Sequence, residues 1–335
     1  MKITLRTLGM LAVCAAALGT LARPALADKI ITAGADKKVK VWDAATGKEL
    51  AAIDAHEGAV LAMAISPNGK VLATGGADKK VKLWNPADGK LIKEIAAHDK
   101  AVTALWFTLD NEKIFSGSAD KKVKVWDATS AKELTAIADT HEGDVLGIIV
   151  APMTIITGGK DNFIRLWGED GAKMFDIEID GGLSSMSGNP MEAALYTGGT
   201  KGMIKWWTAE KGNGDFAESQ GSAVNCIAVT ADGKKLISGG ADGKVKIWDT
   251  DSKKLLDTVD SGHKTGVTAI AVDPKTKVII TAGADGAVKL WDVATKKNLA
   301  TVENAHKEGV NALIYVADAE KKTDEKKPDT KKEGK

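Results

Sequence analysis

Between Ala59 and Ala97 the chain reads AVLAMAISPNGKVLATGGADKKVKLWNPADGKLIKEIAA. Four short apolar runs are separated by clusters of Pro, Asn, Gly, Asp and Lys, the residue types that turn a chain. In the segment VKLW apolar and polar side chains alternate, which is the period of a strand and not of a helix. The stretch predicts four strands joined by turns.

The same unit recurs along the sequence. Trp42, Trp84, Trp126, Trp167, Trp207, Trp248 and Trp291 follow one another at steps of 42, 42, 41, 40, 41 and 43 residues. Four of them precede Asp, at Trp42-Asp43, Trp126-Asp127, Trp248-Asp249 and Trp291-Asp292. Other residues keep step with the tryptophans. Six positions before each stands Asp36, Asp78, Asp120, Asp161, Lys201, Asp242 or Asp285; four before that stands Thr32, Thr74, Ser116, Thr157, Thr197, Ser238 or Thr281. His56, His98, His141, His263 and His306 form a further column, in which the fifth and sixth units carry Ile179 and Gln220.

A period of about 40 to 45 residues ending in Trp-Asp is a propeller-blade signature. On these residues the stretch from Asp28 to Asp318 resembles the WD-repeat family, and it is identified as an exported, bacterial-type member. The resemblance implies an all-β, seven-bladed β-propeller of four-stranded antiparallel blades. It also implies a buried Trp, Ser/Thr, His and Asp network in each regular blade, because a buried imidazole and carboxylate are tolerable only when hydrogen-bonded. The first unit has no upstream His, while His306 and the strand GVNALIY (Gly309 to Tyr315) are left over at the other end. This C-terminal strand is expected to complete the first blade and close the ring, leaving no long sheet edge exposed.

Residues 1–27 read as an export signal. Lys2 and Arg6 precede an apolar run from Leu8 to Ala22, and Ala25-Leu26-Ala27 offers a small-x-small cleavage site after Ala27. The run is shorter than the roughly 20 residues a membrane span needs. Cys14 follows Val13, where a lipid-anchor signal wants Ala or Gly. The mature protein is thus expected to be periplasmic or secreted. It would then hold a single thiol, Cys226, and no internal disulfide. Cleavage removes Lys2, Arg6 and Arg23 and no acid, leaving 43 basic and 45 acidic residues. A formal charge of −2 gives no electrostatic case for nucleic acid or an anionic membrane as partner. Residues 319–335 form a charged tail that after Ala319 mixes Lys with Asp and Glu without an aliphatic or aromatic side chain, the composition of a disordered segment.

Thr or Ser, His and Asp in one neighbourhood have the composition of a hydrolase triad. A trio repeated five times under a Trp is better explained by the blade, since catalysis needs one exposed nucleophile beside an oxyanion site. The histidines are spread one per blade and cannot converge on a metal; no cofactor is implied. Cys226 shares its column with Ala62, Ala104, Gly147, Ser185, Ala269 and Ala312, a tight packing slot.

What remains is a binding surface on loops held by a rigid scaffold. In the family that this sequence resembles, partners dock on the loops that enter the first strand and join the second to the third. Carried over residue by residue, that face includes Leu61, Thr103, Asp144, Leu146, Asn225, Thr268 and Asn311, with Lys160, Thr200 and Lys201 from the second set of loops. Units four and five depart furthest from the repeat. They read TGGTKGMIKWWT in place of GGADKKVKLWN and add Phe163, Met203 and Trp206. The expected function is a monomeric, non-catalytic scaffold for a protein or peptide. A lactonase-like or quinoprotein-like propeller would instead require charged residues or a metal converging on the central channel, and a carbohydrate-binding propeller exposed aromatic platforms.

Overall fold

A computed structural model describes residues 28–137, 140–189, 194–208, 212–273 and 278–317. The expected export signal and charged tail lie outside the described residues. Twenty-eight strands, numbered β1 to β28 in chain order, form seven four-stranded antiparallel sheets. Blades two to seven open with β4 (Val60–Ile65), β8 (Val102–Phe107), β12 (Val145–Ala151), β16 (Leu183–Asn189), β20 (Val224–Val229) and β24 (Val267–Val272). Blade one pairs β28 (Val310–Val316) with β1 (Lys29–Gly34), followed by β2 (Lys38–Asp43) and β3 (Glu49–Asp54). The first and last strands therefore close the ring, Ile31 opposite Ile314 and Thr32 opposite Leu313.

Burial follows the alternation. In β6 (Lys80–Trp84) Val81 and Leu83 are buried while Lys80 and Lys82 are partly exposed. Second strands such as β5 (Leu72–Gly76) are buried throughout, because they lie inside a sheet whose two faces both pack on neighbouring blades. The core is accordingly a series of layers between blades. Val81 and Leu83 of blade two meet Phe107, Ile114 and Trp126 of blade three, and Trp42 of blade one packs on Ile280 and Leu290 of blade seven.

Two glycines show how little room these layers leave. A Cβ on Gly75 would come within 2.6 Å of Val102 in the next blade, and one on Gly76 within 2.5 Å of His56 Nδ1. Cys226 occupies the slot expected of it. Its sulfur lies where a Cβ on Gly239 would be 2.7 Å away, and burial pushes its thiol up to about 12.

Candidate functional site

One polar relay repeats in five blades. Trp84 Nε1 donates to Thr74 Oγ1 at 2.8 Å, Thr74 meets His56 Nε2 at 2.7 Å, and His56 Nδ1 lies 2.9 Å from Asp78. An indole N–H can only donate, so the hydroxyl accepts it, and its own proton serves Nε2 when the ring carries its proton on Nδ1. The ring is then neutral, and its Nδ1–H donates to the carboxylate. Asp78 also accepts the backbone N–H of Glu57 at 3.0 Å. Equivalent chains run Trp42, Thr32, His306, Asp36; Trp126, Ser116, His98, Asp120; Trp167, Thr157, His141, Asp161; and Trp291, Thr281, His263, Asp285.

These relays make stability sensitive to acid. Burial holds all five histidines below their ordinary 6.5, outweighing the aspartate beside each. The unfolded chain takes up these protons near pH 6.5 and the folded chain only at lower pH. Stability is thus fully present above about 6.5 and is lost as pH falls through the folded values. Burial raises Asp161, but the Glu142 N–H, Arg165 and His141 outweigh it and hold the carboxyl at about 2, so a second loss begins below the unfolded carboxylate range. Melting at steps from pH 8 to pH 5 is expected to show a falling Tm once pH drops below 6.5. A level profile would exclude neutral buried rings.

Blades five and six differ. Gln220 replaces the imidazole of blade six and still accepts the Ser238 hydroxyl at 2.6 Å, while Trp248 donates to Ser238 at 2.8 Å. Nothing takes that part in blade five. Ile179 occupies the histidine position, and Thr197 Oγ1 and Trp207 Nε1 are buried with no hydrogen-bond partner among the described residues.

A second pattern surrounds the axis. Every opening strand carries a β-bulge whose extra residue is, blade by blade from the second, Leu61, Thr103, Leu146, Ser184, Asn225, Thr268 and, in β28, Asn311. A bulge re-aims the side chain it carries. The five polar ones reach the first residue of the next blade's opening strand. Thr103 donates to the Val145 carbonyl at 2.6 Å, Ser184 to Val224 at 2.7 Å, Asn225 to Val267 at 3.0 Å, Thr268 to Val310 at 2.6 Å and Asn311 to Val60 at 2.9 Å. Thr103, Asn225, Thr268 and Asn311, expected at a partner face, therefore also stitch the ring. Leu61 and Leu146 cannot, so the seams between blades two and three and between blades four and five have no such bond.

At the second of these seams lies a cleft of about 680 Å³. Leu146, Ile179 and Leu183 line it together with Lys160, Lys201, Glu178 and Asp180. Of the expected site residues the cleft unites Leu146, Lys160, Thr200 and Lys201. Asp144 adjoins it through a 3.5 Å ion pair to Lys160, and Thr200 donates to the Gly181 carbonyl at 2.7 Å. The other candidates from the irregular units lie elsewhere. Phe163 stacks under Arg165 at 4.9 Å, the carbonyl of Met203 closes a turn with the Gly199 N–H, and Trp206 shares Lys253 with Tyr196 and Phe216. Glu178, Asp180, Gly181 and Leu183 were absent from the expected site residues, although the loss of the histidine and aspartate columns pointed at their loop.

The arrangement offers no triad. The relay hydroxyls are buried and already engaged by an indole and an imidazole. Among the described residues no group of three or more His, Cys, Asp or Glu side chains is placed to hold a metal ion. No helix among them is long and apolar enough to cross a membrane.

Fold and repeat together define a seven-bladed β-propeller whose blades each carry the recurring tryptophan. Four segments match the family described as WD domain, G-beta repeat: residues 47–85, 89–127, 215–249 and 253–292. Blades four and five, which border the cleft, fall outside them up to Asp215, as do β28, β1 and β2 of blade one. The chain is similar to WD repeat-containing protein 18 of Mus musculus, 28% identical over 119 residues that cover 31% of this chain and 28% of the relative. It also resembles the pre-rRNA-processing protein crb3/ipi3 of Schizosaccharomyces pombe, 24% identical over 35% of this chain and 36% of that one. The chain thus spans about a third of the length of these relatives. Among solved structures, the computationally designed Ika8 protein superposes with a TM-score of 0.66 at 25% identity, over 87% of this chain and 92% of the other. The expectation of a bacterial-type member is corrected by these relatives, which are eukaryotic. A basic start, an apolar run and a small-x-small site describe export in general, so residues 1–27 carry no information about kingdom.

Proposed function

We propose that this propeller is a non-catalytic scaffold that holds a protein or peptide across the seam of blades four and five. The observation that carries the reading is the coincidence of three departures at one place. The cleft opens where the ring of side-chain bonds is interrupted at Leu146, where Ile179 and Lys201 replace the histidine and aspartate of the relay, and where the repeat matches stop. A sector that breaks local rules in an otherwise regular repeat is where function is expected. WD-repeat propellers are typically protein-interaction scaffolds, which fits a face of short loops and small side chains. Residues 1–27 support action outside the cytoplasm, and the near-neutral charge argues for a protein partner over nucleic acid. We take the protein to act as a monomer.

The test is a capture experiment with identified partners, comparing the natural protein with a Lys201→Asp variant. A partner that releases the variant supports the seam. One that holds both equally well would place the contact elsewhere. Sequencing the N-terminus of secreted material, expected to begin at Asp28, tests the location.

A further inference from the structure

Blade five lacks a carboxylate that the other six blades possess, five of them within the full relay. In those five, the relay aspartate accepts the backbone N–H of the residue that follows the histidine: Asp78 from Glu57, Asp120 from Asp99, Asp161 from Glu142, Asp285 from Lys264 and Asp36 from Lys307, at 2.8 to 3.3 Å. The corresponding pair in blade five is Asp180 and Lys201. A lysine cannot accept a hydrogen bond, so the N–H of Asp180 has no acceptor among the described residues, and a cation stands where an anion stands elsewhere. The stem of Lys201 lies 3.8 Å from where a Cβ on neighbouring Gly181 would be, so the lysine runs along this loop. Among the described residues Lys201 has no ion-pair partner.

Asp180 and Lys201 both line one cleft, together with Leu146, Ile179 and Leu183. Ile179 and Leu183 are each 3% exposed, so they form a fixed apolar floor rather than mobile rim. Glu178 and Asp180 also line the cleft. They repel any anion, a polyanion several times over and a single carboxylate least, and the Lys201 ammonium opposes that repulsion.

We infer that this cleft is a carboxylate site: an acidic side chain of a partner peptide binds the Asp180 N–H and the Lys201 ammonium, with a flanking apolar residue on the partly exposed Leu146 above the floor of Ile179 and Leu183. The guest supplies from outside the group that Asp78 or Asp120 supplies from within. The inference rests on the scaffold reading above and names what the scaffold would hold.

The probe is a blocked peptide, acetyl-Gly-Leu-Glu-Leu-Gly-amide, titrated calorimetrically into the full chain beside its Gln twin. The Glu peptide is expected to bind about tenfold more tightly, the scale of a charge-assisted pair of hydrogen bonds. Lys201→Asp refills the site internally and should level the two peptides. Lys121→Gln, which removes a lysine from the equivalent turn region of blade three, should leave the preference intact. Equal binding of the two peptides to the natural protein overturns the inference, as does a preference that survives Lys201→Asp in a variant with an unchanged melt. Displacement of the Glu peptide by acetate at the peptide's own concentration range would assign the site to small carboxylates and overturn the peptide. A partner that depends on blades four and five while the twins bind alike would defeat only the carboxylate inference. A Glu preference lost on Lys201→Asp, with no partner sensitive to the seam, would defeat only the scaffold.

Discussion

A chain ended at Glu303 is expected to show no cooperative melt. The cut removes β28, whose Val310, Leu313 and Val316 are buried against blades seven, one and two. Those three side chains alone contribute roughly 5–9 kcal/mol. That is comparable to the whole stability of an ordinary domain, about 5–15 kcal/mol. The cut also removes His306 and so strands Thr32 and Asp36 in the interior. A chain ended at Ala317 keeps all of these groups and should melt as the full-length protein does. If the shorter chain still unfolded in one sharp transition at the original temperature, the closing strand would be dispensable and the ring would be held by something else.

The second large effect is a contrast between two substitutions of the same kind. Thr74→Val removes one hydroxyl and orphans two buried groups, the indole N–H of Trp84 and the Nε2 of His56. Each buried polar group left unpaired costs about 1–3 kcal/mol, so the loss should be roughly 2–6 kcal/mol. Thr197→Val changes the equivalent residue of blade five, where the hydroxyl is 1% exposed and already lacks a partner. Here the expected change is within about 1 kcal/mol and in the stabilising direction, because an unpaired buried hydroxyl is exchanged for a methyl group. Urea midpoints of the two variants decide the matter. Equal losses would mean that the relay is not what the hydroxyl contributes.

The number of blades, their four strands and the closing strand could be read from the chain because each rests on spacing. Trp to Trp gives the period, the turn residues divide it, and the His column without a mate at one end matches the mateless Thr32 and Asp36 at the other. The relay could be read for the same reason, with Gln220 as an exception that only the structure resolves, since an amide can accept a hydroxyl as an imidazole does. The stitching around the axis could not be read. An extra residue in one strand of a pair leaves no mark on the period of either. Thr103, Asn225, Thr268 and Asn311 therefore looked like residues presented to a partner, although their side chains are turned sideways onto the next blade. The cleft was half visible. Lys201 announced itself by breaking a column, whereas Glu178 and Asp180 flank the place where Ile179 breaks the histidine column and belong to no column of their own.

The five stitches all run one way round the circle, each from one blade to the one that follows. A substitution at Asn225 therefore loosens blade seven rather than blade six, which owns the residue. Blades three and five are the two that no predecessor holds, and of these only blade three has an internal relay. Blade five sits among its neighbours as a stave kept in a barrel by the pressure of the others and one peg on its far side, with no nail of its own.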